Sequence, residues 1–470
     1  MRYFKKFLSI PILAILVAFL MLTNLAGCAF QPAEISASPE ASGSSAVENV
    51  ILLIGDGMGY PQITLSRVFN GNKPLAMDTF EEMGSVATYP EDDAYKWITD
   101  SAAAGTAIAT GKKTFNGAIS VDNDSSRLET ILELAKKSGR ATGLVTTATI
   151  TNATPAVFAA HVPDRGNEDA IAVDMLKTQP DVMLGGGFAY FAPEEKGGSR
   201  ADGRDLIAEA EAAGYTYVNN KDQMDQADGK ILGLFSPGYM PYEIDRTSLL
   251  PALDEMTAKA IDVLSGNPKG FFMMVEGGRI DHAAHAHDAG TLVREVLAFD
   301  EAVKIAFDFA REDGNTLVIV TADHETAGLS LGSSAQGMVF DPDIMDGQIS
   351  SIEEMVAESF KAYTAQSVDV KTLIQEYFGI SGLSAGEEAA LKEAFIEEKE
   401  GLAAGDNEYA GGFADAVTAF VSSKINVGWT SGGHTGSDVP IMAYGPNAEQ
   451  LSGHIDNTEI FEAMKSAMGL

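Results

Sequence analysis

The chain has 470 residues, 45 % of them apolar, with 47 glycines, which fits a large globular α/β protein rich in tight turns and excludes a disordered one. Its 67 acidic against 32 basic residues give a formal net charge of −35, which argues against nucleic-acid or anionic-lipid surfaces as partners. An anionic substrate would therefore need local positive charge, and a single cysteine leaves no disulfide within the chain to hold the fold.

In chain order, the first segment reads as a targeting leader. Arg2, Lys5 and Lys6 precede an apolar run over residues 7–25 that ends in Leu25-Ala26-Gly27-Cys28. Such a run also suits an uncleaved anchor, but its small-residue ending has the form of a bacterial lipobox. Cleavage is expected before Cys28, removing the signal peptide 1–27 and leaving an exported lipoprotein, membrane-anchored through Cys28 at the cell surface or periplasm. Residues 28–48, rich in Ser, Ala, Pro and Glu, are expected to form a flexible tether.

Four apolar, β-branched runs follow, at 50–54, 141–147, 271–275 and 317–320, each ending at polar residues. Continuous apolar runs bounded by turn signals predict buried strands of a mainly parallel sheet. Helix-period segments lie between them, at 128–138, 254–264 and 291–310. The expected fold is a three-layer α/β sandwich over 49–335 and 427–470, with ligands gathered beyond the carboxyl ends of the strands. Residues 336–426 change texture to acidic and helical, with helices predicted at 351–364, 368–378 and 385–397, and read as an inserted helical subdomain.

The chemistry-bearing residues fall at the predicted strand ends. Asp56 sits in Gly55-Asp56-Gly57-Met58-Gly59, where glycines let backbone approach an ion. Asp100-Ser101 opens a small-residue helical run, which would place a hydroxyl where a phosphate docks; the plainer alternative is an ordinary N-cap. Asp281 and His285 share one face if their segment is helical. Asp323 and His324 can converge on one ion only if the backbone turns after the strand, and His434 lies in a Gly-Gly-His-Thr loop. Singly each has a structural explanation as a turn, a cap or a surface pair. Jointly they place four of the seven histidines in ligand-type segments.

In this order the segments resemble the alkaline phosphatase family, over roughly residues 49–447: Asp-Gly-Met-Gly, Asp-Ser-Ala, Ala-Thr-Pro-Ala, the stretch 276–285, Thr-Ala-Asp-His and Gly-Gly-His-Thr. The resemblance implies hydrolysis of a broad range of phosphate monoesters through a phosphoserine, with two Zn2+ and one Mg2+. Ser101 would be the nucleophile and Arg165 the clamp on the phosphoryl oxygens. Asp281, His285 and His434 would hold one zinc, and Asp56, Asp323 and His324 the second. Thr154 and Glu276 would bind magnesium, with Asp56 bridging to it. A homodimer is implied by analogy. Two departures stand out: Asn152, where members often carry Asp or His, and His282, which is Lys in some. They bear on the third metal site and the pH optimum.

Such chemistry suits a cation cage. Phosphate-monoester hydrolysis can need acceleration of up to about 10²¹-fold, and one general base supplies only about 10²–10⁴. Two other readings compete. A phosphodiesterase or sulfuryl hydrolase of the same superfamily is disfavoured, because Ser101-Ala102-Ala103-Ala104-Gly105 lacks the Pro and Arg of a sulfatase segment and Arg165 suits monoesters. A non-catalytic metal- or phosphate-binding lipoprotein would be signalled by a broken ligand set, and here every ligand position is filled.

Overall fold

Asn-Val-Ile-Leu-Leu-Ile-Gly has no polar face, and it forms a strand, β1 (Asn49–Gly55), buried at every residue. Such a strand is stable only in a sheet covered on both sides. The computed structural model describes residues 47–333, 337–404 and 411–470; the leader, Cys28 and the tether up to residue 46 lie outside the described residues. β1 is followed by β2 (Glu82–Ala87), β3 (Ala141–Thr149), β4 (Val182–Gly186), β5 (Tyr215–Val218), β6 (Lys230–Leu234), β7 (Phe271–Gly277) and β8 (Thr316–Thr321). Four short strands come next, β9 (Glu325–Thr326), β10 (Leu329–Leu331), β11 (Val427–Trp429) and β12 (His434–Thr435), then β13 (Val439–Tyr444) and β14 (Gly453–Asp456).

Among the described residues, ten of these strands make one sheet in the order β14-β2-β13-β8-β1-β7-β3-β4-β6-β5. Every neighbouring pair is parallel except the two made by β13, which is antiparallel to β2 and β8. The expected mainly parallel α/β sandwich is therefore the observed architecture, and the four expected runs are its adjacent central strands β8, β1, β7 and β3. Of the remaining strands, β2 and β5 are half-exposed, while β13 is buried and apolar but carries a proline.

Helices cover the sheet. Ile131–Ser138, Leu253–Leu264 and Ala289–Asp313 occupy the three expected core segments. Between β10 and β11 run Ile352–Ala362, Val370–Phe378, Ala385–Ala404 and Gly412–Ile425. These helices have a small aromatic core, in which Phe395 packs edge-on against Phe360 and Phe413 at 5.0 and 5.1 Å. β10 and β11 pair antiparallel, Leu329 opposite Trp429, so the chain leaves and re-enters through one ribbon.

The first and last described residues are tied together. Val47 N–H donates to the Ala467 carbonyl at 2.8 Å, and the Arg140 guanidinium donates to the carbonyls of Val47, Glu48 and Met468. Among the described residues no helix is long and apolar enough to cross a membrane.

Candidate active site

The register of the central strands assembles the site. Ile54 of β1 lies opposite both Glu276 of β7 and Thr321 of β8, and Thr146 of β3 lies opposite Glu276. Residues just past these positions therefore meet at one edge of the sheet, where an open parallel sheet binds ligands. Asp56 follows β1, Asp323 and His324 follow β8, Asn152 and Thr154 follow β3, and Arg279–His285 is the short helix following β7.

Two carboxylate–imidazole trios result. In one, Asp281, His285 and His434 bring one ligand atom each within 4.8 Å of one another; in the other, Asp56, Asp323 and His324 do the same. Asp281 and His285 do share one helix face, with His285 Nε2 3.3 Å from Asp281 Oδ2. The backbone also bends after β8. Both His324 N–H (2.9 Å) and Gly57 N–H (3.1 Å) donate to Asp323 Oδ1, leaving Oδ2 3.2 Å from His324 Nε2.

His434 is not in a free loop. β12 pairs antiparallel with β9, which puts His434 opposite Thr326 and stacks its ring on His324 with centroids 3.6 Å apart. Thr326, which sequence reasoning misses, links the trios: its hydroxyl donates to Asp281 Oδ1 at 2.6 Å and accepts from His324 Nδ1 at 3.2 Å. Its position two residues after His324 is the available signal.

Ser101 begins the helix Ser101–Thr110, which is buried throughout. Asp100 caps it, accepting from Ala103 N–H at 2.9 Å. The small side chains have a packing reason. A Cβ on Gly105 would come within 2.9 Å of Val157, so only glycine lets this helix approach Ala153–Ala159, which carries Thr154. Ser101 Oγ lies 3.2 Å from His324 Nε2. The other oxygen of Asp100 accepts from Arg165 Nη1 at 3.0 Å, and Arg165 Nη2 lies 3.5 Å from Asn152 Oδ1. The structure thus brings all ten sequence-selected residues to one sheet edge. Glu276 and Thr154 form its third corner: Thr146 donates to Glu276 Oε2 at 2.5 Å, and Thr154 lies 3.5 Å from Asp56 Oδ2.

The electrostatics are unfavourable for the side chains alone. Burial, then the neighbouring carboxylates Asp323, Asp281 and Glu276, hold the Asp56 carboxyl well above its usual range, with Arg165 opposing. Burial pushes Asp323 up to about 6 and Glu276 to about 7. Burial and then His434 drive His324 well below the usual imidazole range. Asp56 Oδ1, Asp323 Oδ2 and Glu276 Oε1 are buried without a hydrogen-bond donor among the described residues. Buried acceptors are normally satisfied, so three in one place call for a positive partner.

The imidazoles agree. His285 Nδ1 faces the Gly432 carbonyl and His434 Nδ1 the Thr99 carbonyl, both at 2.8 Å. A carbonyl accepts only from N–H, so each Nδ1 carries the proton and each Nε2 a lone pair. Those two Nε2 atoms lie 3.2 Å apart beside the Asp281 carboxylate. Lone pairs so placed repel unless a cation lies between them, and this donor set fits divalent metals.

Carboxylates and imidazoles at the carboxyl edge of a parallel sheet, beside a capped serine and an arginine, define a metal-dependent hydrolase of α/β-sandwich type. The comparisons sharpen this. The alkaline phosphatase family profile matches residues 47–470. Alkaline phosphatase 3 of Bacillus subtilis is 40 % identical over 464 residues, covering 94 % of this chain and 95 % of that one. Among solved structures, a cold-active alkaline phosphatase from Shewanella superposes with TM-score 0.80 at 34 % identity, covering 89 % of this chain and 99 % of that one. The Thermus thermophilus alkaline phosphatase gives 0.78 at 32 %, covering 94 % and 96 %. The chain belongs to the alkaline phosphatase family and is a phosphate-monoester hydrolase.

Gly57 tests the cage without replacing a ligand side chain, since its N–H holds Asp323 Oδ1. It has φ +71°, and a Cβ there would come within 2.8 Å of Thr326 Oγ1 and 2.9 Å of Asp281 Oδ1. Gly57→Ala should lower the divalent metal retained per chain after gel filtration, read by plasma mass spectrometry, while far-UV circular dichroism stays unchanged.

Proposed function

We propose that hydrolysis proceeds in two displacements through a phosphoserine at Ser101. The observation that carries this reading is the setting of the Ser101 hydroxyl: at a helix N-terminus, 3.2 Å from His324, with Arg165 anchored on the adjacent Asp100. In the first displacement Ser101 Oγ bonds to phosphorus as the alcohol leaves. In the second, a water oxygen attacks the same phosphorus, restoring the hydroxyl and releasing inorganic phosphate.

Each protein group has a task in this scheme. Asp100 takes the Ala103 N–H, which leaves the N–H groups ahead of it in the first helical turn to meet phosphoryl oxygens. Asp100 and Asn152 hold one edge of the Arg165 guanidinium, so its other donors are pre-aimed at the phosphoryl group. Asp281, His285 and His434 would hold one zinc, Asp56, Asp323 and His324 a second, and Thr154, Glu276 and Asp56 a magnesium. When bound, such cations neutralise charge on the phosphoryl group and acidify hydroxyls, work for which the site offers no strong base. Burial lowers His282 to about 4, so this imidazole stands neutral where a lysine would be charged.

The cellular setting is part of the proposal. The protein would be exported, anchored by lipid on Cys28, and active as a homodimer, with residues 336–426 as an inserted helical subdomain.

Ser101→Ala should abolish phosphoenzyme trapped by acid quench from labelled substrate, whereas His161→Ala, away from the ligand set, should retain it. Label in the Ser101→Ala protein would overturn the assignment. Arg165→Ala should raise the inhibition constant for phosphate by roughly 10- to 100-fold, the worth of one or two charge-assisted hydrogen bonds; an unchanged constant rules out the clamp. Cys28→Ser should move the protein from the detergent phase to the aqueous phase on Triton X-114 partitioning.

A further inference from the structure

Outside the ligand cage, the segment running into Ser101 carries an unusual set of exposed aromatic rings. Trp97 is 70 % exposed, Tyr95 61 % and Tyr89 40 %. Large rings standing in solvent beside an active site have no packing reason to be there. Trp97, Tyr89 and Phe115 line a cavity of about 730 Å³ together with Glu91, Asp93 and Lys96.

The segments that line the cavity are tied to the site. Trp97 lies four residues before Ser101, so the chain between them spans at most about 14 Å. The Thr99 carbonyl in this stretch accepts from His434 Nδ1. Two residues past His434, a Cβ added to Gly436 would come within 3.0 Å of the Trp97 carbonyl oxygen, so glycine lets the two segments close on each other. The opposite wall is tied to the same place. Phe115 precedes Asn116, whose Oδ1 accepts from Asp100 N–H at 3.0 Å, and Gly117, whose N–H donates to the Asp100 oxygen that Arg165 also binds.

The platform is rigid. Asp92 accepts from the N–H groups of Ala94, Tyr95 and Asn116, and Asn116 Nδ2 donates to the Ile98 carbonyl. Trp97 stands edge-on to Tyr89 with centroids 5.9 Å apart. Tyr89 is in turn held by the Lys113 ammonium 4.0 Å from its ring centre, which is itself paired with Asp456 at 3.2 Å. A fixed indole is the best aromatic partner for a cation. Glu91 and Asp93 have no ion-pair partner among the described residues, so with Lys96 as the one lining base the cavity has an acidic balance.

We propose that this cavity, with Trp97 in its lining, is a subsite for the alcohol part of the substrate and selects phosphate monoesters whose alcohol bears an organic ammonium group. The inference rests on the phosphatase reading and adds a substrate class to it. It places the cation of the leaving alcohol over the Trp97 face, beside Glu91 and Asp93, while the phosphoryl group lies at Ser101.

The experiment compares kcat/KM for choline phosphate, its uncharged carbon isostere 3,3-dimethylbutyl phosphate, and ethyl phosphate, which lacks both the ammonium group and its bulky isostere. The metal-loaded wild-type protein should prefer choline phosphate over the isostere by about tenfold. Trp97→Ala should bring that ratio to within about twofold of unity, Trp97→Phe should keep part of it, and ethyl phosphate should change less than about twofold in either. A wild-type ratio of one, or a ratio unmoved in Trp97→Ala, overturns the subsite while turnover of ethyl phosphate leaves the phosphatase reading standing. Failure to hydrolyse even ethyl phosphate would overturn that reading instead.

Discussion

Four carboxylates, Asp56, Glu276, Asp281 and Asp323, lie at one end of the sheet with exposures of 7 % or less. Only Arg165 opposes their charge among the groups that shift Asp56. In a medium of reduced dielectric this density of negative charge cannot persist unaided. The fold therefore makes sense as one half of an ionic assembly. The parallel strands fix where the anionic groups stand, and divalent cations are what let them stand there ionised. A charge balance as acidic as this chain's is compatible with an anionic substrate for the same reason.

The arrangement also separates holding from reacting. The hydroxyl of Thr326, the carbonyls of Thr99 and Gly432 and the N–H of Gly57 touch no substrate in the proposed scheme. They set imidazole tautomers and carboxylate rotamers, so the lone pairs point inward before any ion arrives. Backbone groups cannot be mutated away, which makes this orientation robust to sequence change. Helix 101–110 contributes in another way: its lack of side-chain bulk is what brings the Ser101 turn and the Thr154 turn together.

The legible part of this architecture is the part in which one physical requirement dominates. The strands β8, β1, β7 and β3 are buried on both faces, so their composition announces them without help from pairing partners. Most ligand residues are legible because they end or closely follow such a strand, as Asp56, Glu276, Asp323 and His324 do, or share a helix face, as Asp281 and His285 do. β2 and β5 are not, since a short, half-exposed strand is defined by its neighbour more than by its own residues. Nor is the pairing of β12 with β9: two residues of ladder leave no periodicity to read, yet they decide where His434 stands. Thr326 escapes notice because its one signal, a threonine two residues past His324, carries no periodicity. The aromatic platform at Trp97 is silent too, because exposure is a property of the folded chain.

The ribbon formed by β10 and β11 has a consequence for how such a protein can diversify. The chain departs at Leu331 and comes back at Val427 directly opposite it, one strand spacing away, or about 4.8 Å. Any excursion whose ends meet at that separation can be spliced in without altering the strand order or the catalytic edge. Lengthening such an excursion costs little closure entropy, about 0.6 kcal/mol per doubling. The ribbon thus fixes the spacing of the segment's two ends independently of the length of chain between them.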